Sequence, residues 1–195
     1  MNVERCEMTL REDNVPFLAR LVRRGDASTA STEVVSILTL AAASFGSRHD
    51  PDSTAPTGFD PAAAALFEGL VECAFLVAHA DGVFDETERE AFERLVVVAC
   101  DGSVAAGQIA SLVSDLEAQR EEDGEDARIL AVATAFKRPA HAEEALRVAV
   151  VMARASDDVS DVERRTIEKI AAACGLPLGA VDEAFRAVDA EIARA

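Results

Sequence analysis

Tryptophan and tyrosine are absent from this 195-residue chain, and nine phenylalanines are its only aromatic residues. Half of the residues are nevertheless hydrophobic, so the apolar content is mainly Ala, Val and Leu, which suit close-packed helices. Few strands are expected. Basic residues are also scarce: 19 Lys and Arg against 36 Asp and Glu leave a formal charge of −17, which repels a phosphate backbone and an anionic membrane surface. Nucleic acid is therefore not an expected partner.

Other absences narrow the chemistry. Cys6, Cys73, Cys100 and Cys174 show no CxxC spacing, and His49, His79 and His141 pair with no Cys or His at zinc-ligand spacing. Three of the cysteines fall on apolar faces or at the ends of expected helices and read as buried free thiols, which points to a reducing compartment. No stretch approaches the ~18 apolar residues of a membrane span. Glu4, Arg5 and Glu7 stand where a signal peptide needs an apolar run, so the expected location is cytoplasmic. There is no nucleophile elbow or HExxH, and Gly25-Asp26-Ala27-Ser28 lacks the second Gly and the Lys of a P-loop. No catalytic residue and no enzyme activity are expected.

What the chain does contain is helical punctuation. Residues 14 to 24 and 31 to 45 read as two short helices, the second starting behind Ser31-Thr32, and form an N-terminal extension over 1–45. Residues 46–60 are rich in Gly, Pro, Ser and Asp and read as a linker or long loop. The main domain, 61–195, opens with Asp60 as an N-cap and Pro61 at the first helical position. Helices are expected near 61–80, from Asp85 to a stop at Asp101-Gly102, from Ser103 to an acidic turn at Glu121–Asp126, near 126–137, over 140–155, before Gly175-Leu176-Pro177, and over 178–194.

One helix-to-helix junction occurs twice. Ala80-Asp81-Gly82-Val83-Phe84-Asp85-Glu86-Thr87-Glu88-Arg89 returns as Ala155-Ser156-Asp157-Asp158-Val159-Ser160-Asp161-Val162-Glu163-Arg164 at an offset of 75. Ala74, Ala78, Ala80, Glu88, Arg89 and Glu93 are identical in the second copy, and the apolar positions around them stay apolar, so the unit is a helical hairpin used twice. Asp85-x-x-Glu88 and Ser160-x-x-Glu163 are capping-box patterns, and Gly82 reads as a C-cap glycine. Capping leaves over Asp81 in the first copy and Asp157 and Asp158 in the second. An EF-hand is rejected, because Val77 and His79 stand where its loop needs its opening carboxylates. A hard cation held by Asp81, Asp85, Glu88 and a backbone carbonyl, and pure helix capping, both remain open on these residues.

The motif Ala80-Asp81-Gly82-x-Phe84-Asp85-x-x-Glu88, with a degraded copy leading to Ile170-Ala171-Ala172-Ala173-Cys174-Gly175-Leu176, resembles the TerB-like family of tellurite-resistance proteins, which includes the N-terminal domain of the co-chaperone DjlA. The resemblance covers residues 61 to 194. It implies an all-α fold, a compact bundle of about seven helices, here built from two related hairpins with an N-terminal helical extension. It also implies a non-enzymatic module of a bacterial stress response whose acidic face binds divalent cations, Ca²⁺ or Mg²⁺, and recruits partner proteins, among them other tellurite-resistance proteins. The implied metal residues are Asp81, Asp85, Glu88, Asp157, Asp158 and Glu163. Of these, Asp81, Asp85 and Glu88 match the motif directly and only Glu163 does so in the second copy, where Ser156-Asp157 replaces Asp-Gly. The competing expectation is a purely structural interaction domain, without metal, whose acidic turns serve only as caps.

Overall fold

The computed structural model describes residues 19, 22, 36–47, 59–82, 84–155 and 159–194. Among them are eight helices and no strand, as expected of an Ala-, Val- and Leu-rich chain: α1 (Ile37–Gly46), α2 (Pro61–Ala78), α3 (Glu86–Ala99), α4 (Ala106–Asp123), α5 (Glu125–Ala135), α6 (Pro139–Ala153), α7 (Asp161–Ala173) and α8 (Ala180–Ile192). Seven of the eight follow Pro61.

Two helices form the centre. α2 and α6 are the first members of the two repeats, each opens with Pro at its first position, and they pack against one another. From Leu70 to Ala78 every residue of α2 is buried, and from Glu144 to Ala153 every residue of α6 is buried. Their Ala and Val side chains let the backbones approach closely. α2 is long and apolar enough by composition to cross a membrane, with a mean hydropathy of 1.6, which corrects the expectation that no segment reaches that length. Here α1, α5, α6 and α7 cover it, as they would the core helix of a bundle.

The repeat extends beyond the hairpin. In the first copy Arg89 holds Glu93 one turn along α3, at 3.0 Å, and also pairs with Glu117 of α4. In the second Arg164 holds Glu168, at 3.2 Å, and pairs with Asp182 of α8. Each copy is thus three helices, α2–α3–α4 and α6–α7–α8, with α5 between them. The third helices share little sequence, which is why only the hairpins were legible.

Three local expectations need correction. α1 starts behind Ser36, whose hydroxyl accepts from the Thr39 amide at 3.1 Å, rather than behind Ser31-Thr32. The acidic run is not a turn as a whole: α4 continues through Asp123, and Gly124 alone breaks it, at φ 83°. Glu residues propagate a helix, and Glu125 and Asp126 then suit the positive end of α5. Nor does Gly82 cap α2, which ends at Ala78 with His79 as its C-cap; Gly82, at φ 83°, completes the turn that follows. The reading of 14–24 as a helix falls largely outside the described residues, as do Cys6 and His49.

α1 is joined to the same core. Its Ser44 hydroxyl both accepts from the Asp60 amide, at 2.7 Å, and donates to the Asp60 carbonyl, at 3.1 Å, while the Phe45 and Phe67 rings lie 4.7 Å apart. At its end Gly46 packs directly on the loop after α3, where a β-carbon would overlap the Ser103 carbonyl. Gly46→Ala should therefore cost about 1–3 kcal/mol, read by urea denaturation, because backbone rather than a flexible side chain has to move. A loss below 0.5 kcal/mol would show that this contact gives way freely.

Candidate functional site

The first acidic turn is built on an aromatic cluster. Phe75, fully buried on α2, meets the edges of Phe84 at 5.5 Å, Phe92 at 6.2 Å and His79 at 5.5 Å, and His79 stacks on Phe84 at 5.4 Å. This packing holds both flanks of the turn, and Asp81 stands exposed between them. From the other side the Arg120 guanidinium of α4 donates to the His79 carbonyl at 3.2 Å, one of the carbonyls left over at the end of α2. Burial and the nearby Arg120 charge lower the His79 pKa, so the imidazole is neutral near pH 7.

Asp85 and Glu88 are engaged locally. The Asp85 carboxylate accepts from the Glu88 amide and the Glu88 carboxylate accepts from the Asp85 amide, both at 3.0 Å, a closed capping box at the head of α3. The second turn repeats it: the Ser160 hydroxyl accepts from the Glu163 amide at 3.1 Å, and Glu163 Oε2 accepts from the Ser160 amide at 2.7 Å. Both expected boxes are present.

Glu163 differs from Glu88 in one respect. It is only 7% exposed, and its second oxygen, Oε1, is buried without a hydrogen-bond partner. Burial raises its pKa, the Ser160 amide and hydroxyl work against that shift, and the negative charge of Asp81 adds to it. The fold therefore brings the two acidic turns, 75 residues apart, within electrostatic reach of each other. Asp157 and Asp158 lie outside the described residues. Among the described residues no three His, Cys, Asp or Glu side chains converge closely enough to hold a metal ion by themselves.

A family model described as tellurite resistance protein TerB matches residues 67–186. The chain belongs to the TerB family. The match starts inside α2 and ends inside α8, so the TerB domain contains both acidic turns and both copies of the repeat, while α1 precedes it. No curated protein and no solved structure matches the chain significantly. In this TerB domain the described cysteines are unpaired, as read from their spacing: Cys73 and Cys100 are buried, Cys174 is half-buried, and burial pushes the Cys100 thiol up to about 12. Thiols held so far from ionisation are poor nucleophiles and poor metal ligands. The His79–Phe84 stack and the Arg120 tie were not foreseen, since the sequence offers only an aromatic residue five positions after a histidine and an arginine 41 positions away.

Proposed function

We propose that this TerB domain is a non-enzymatic module that holds a divalent cation at the paired acidic turns and presents its acidic surface to a partner protein, as part of a bacterial stress response of the tellurite-resistance kind. The observation that carries the reading is the Glu163 carboxylate, buried with one oxygen unpartnered, its pKa raised by that burial and, to a lesser degree, by the charge of Asp81. An orphaned buried oxygen is costly, and a like charge within reach adds to the cost. A hard cation relieves both costs at once. Asp81 and Glu163 are the first ligands on this reading, and Asp157 and Asp158, the acidic residues of the second turn that lie outside the described residues, are the further candidates by sequence alone. Asp85 and Glu88 contribute less, because the capping box already uses both carboxylates. Ca²⁺ and Mg²⁺ suit such an all-oxygen set.

Calorimetric titration of the metal-stripped protein with Ca²⁺, Mg²⁺, Mn²⁺ and Zn²⁺ tests this. Saturable binding near one equivalent is expected, weakened at least tenfold by Asp81→Asn and by Glu163→Gln. The latter keeps an oxygen for the Ser160 amide, so the cap survives and the charge alone is removed. At a hundredfold excess over Kd the cation should also stabilise the fold by about 2.7 kcal/mol. Wild-type affinity in both variants would refute the assignment of the site.

A second reading is favoured by the completeness of both capping boxes: the turns serve as helix starts alone, and the domain is a structural interaction module without metal. Absence of any saturable heat in the wild-type titration would establish it.

A further inference from the structure

Away from the acidic turns, a cavity of about 270 Å³ opens between α1, the start of α2 and the start of α6. Its wall is aliphatic, with Ile37 and Leu40 from α1 and Ala63 and Leu66 from α2. Leu40 is 64% exposed there, a large apolar side chain left in water at the mouth of a concave surface. Arg138 and His141, from the first turn of α6, line the same cavity.

The polar side of this groove carries a cation that the chain does not pair, as it does not pair Arg165, Arg186 or Arg194 among the described residues. Arg89, Arg128, Arg147, Arg154 and Arg164 each hold a carboxylate of the chain. Arg138 has no ion-pair partner among the described residues, although acidic residues outnumber basic ones almost two to one. His141 Nδ1 is shielded from solvent and has no hydrogen-bond partner. α6 begins at Arg138 without a side-chain cap, so the positive end of the helix reinforces the guanidinium. An aliphatic wall beside an uncompensated cation is complementary to one kind of small molecule.

We propose that this groove binds a medium-chain aliphatic carboxylate, with the alkyl chain on Ile37, Leu40, Ala63 and Leu66 and the carboxylate on the Arg138 guanidinium. The planar fork of Arg matches a carboxylate through two parallel hydrogen bonds. A cationic amphiphile is repelled by Arg138, and a neutral alcohol leaves the guanidinium without its counter-charge. The volume lies just below the ~300–1,000 Å³ of typical small-molecule sites, which suits a short ligand. Ile37, Leu40, Ala63 and Leu66 all precede the segment matched to TerB, whereas Arg138 lies inside it, so the aliphatic wall is contributed from outside the matched segment.

The test uses the full chain, ¹⁵N-labelled, titrated separately with octanoate, octanol and octylammonium below their aggregation thresholds. Octanoate should bind saturably and shift the amides of α1, the start of α2 and residues 138–141. Octanol should bind roughly tenfold or more weakly, and octylammonium not at all. Arg138→Gln should weaken octanoate about tenfold while leaving octanol unchanged, and Leu40→Asp should abolish the binding of octanoate. Both side chains are exposed, so neither change threatens the fold, and retention of the amide spectrum verifies this for each variant. Failure of octanoate to saturate, shifts confined to other surfaces, or an octanoate affinity indifferent to Arg138→Gln would each overturn the proposal.

Discussion

Phe75→Ala should lower the unfolding free energy by about 3–5 kcal/mol, the range for deleting a fully buried phenyl ring from a core that cannot collapse around the gap. Phe75 is 0% exposed and is the common neighbour of Phe84, Phe92 and His79, so its loss removes the edge contacts of three rings. Small domains have only about 5–15 kcal/mol in total, so the variant should be visibly destabilised in urea at 25 °C. Phe84→Ala is the control. Phe84 sits over the turn and is half-buried, so the same truncation there should cost distinctly less. If the two losses were equal, the cluster would not be organised around Phe75, and the hold on the Asp81 turn would need another source.

Arg147→Ala should cost a similar amount for a different reason. Arg147 and Glu144 are both buried on α6, paired at 3.0 Å, and the guanidinium also donates to the Val22 carbonyl at 2.7 Å. Ala19 and Val22, 0% and 4% exposed, belong to the same apolar core, so this hydrogen bond ties the N-terminal part of the chain to α6. Removing the arginine strands a carboxylate inside the fold and a carbonyl without its donor, for which about 3–5 kcal/mol is the usual loss. The double replacement Glu144→Leu with Arg147→Met should recover most of it, because a hydrophobic pair pays no desolvation cost. Denaturation of Glu144→Leu, Arg147→Met and their combination, beside the wild type, forms a cycle that measures the coupling. If Arg147→Ala cost under 1 kcal/mol, water would have to reach Glu144, contrary to its 7% exposure.

How far such features can be read from sequence depends on the range over which they act. Asp60-Pro61, Asp85-x-x-Glu88, Ser160-x-x-Glu163 and Asp101-Gly102 mark helix boundaries because capping is decided within four residues, and each appears where expected. A run of acidic residues such as Glu121–Asp126 does not by itself break a helix, and only Gly124, at φ 83°, has the backbone freedom to do so. Glu144 and Arg147 look in sequence like an ordinary surface pair three residues apart, and nothing local announces their burial. The same holds at the candidate site. That Glu163 can cap α7 is written in its spacing from Ser160. That its other oxygen is buried, within reach of the charge on Asp81, follows from how α2 and α7 pack, which is a property of the whole fold.

The contact between α2 and α6 also bears on the order of events during synthesis. When α2 leaves the ribosome one of its two main partners, α1, is already made, but the other, α6, is completed 75 residues later. At elongation rates of ~5–20 residues per second the wait is roughly 4–15 s. Through it, an 18-residue helix with the hydropathy of a membrane span has α1, its own three-helix unit and, towards the end, α5 to cover it, but neither α6 nor α7. The central packing of this fold closes late, and the nascent first half is the state in which the chain is most exposed to aggregation and to capture by chaperones.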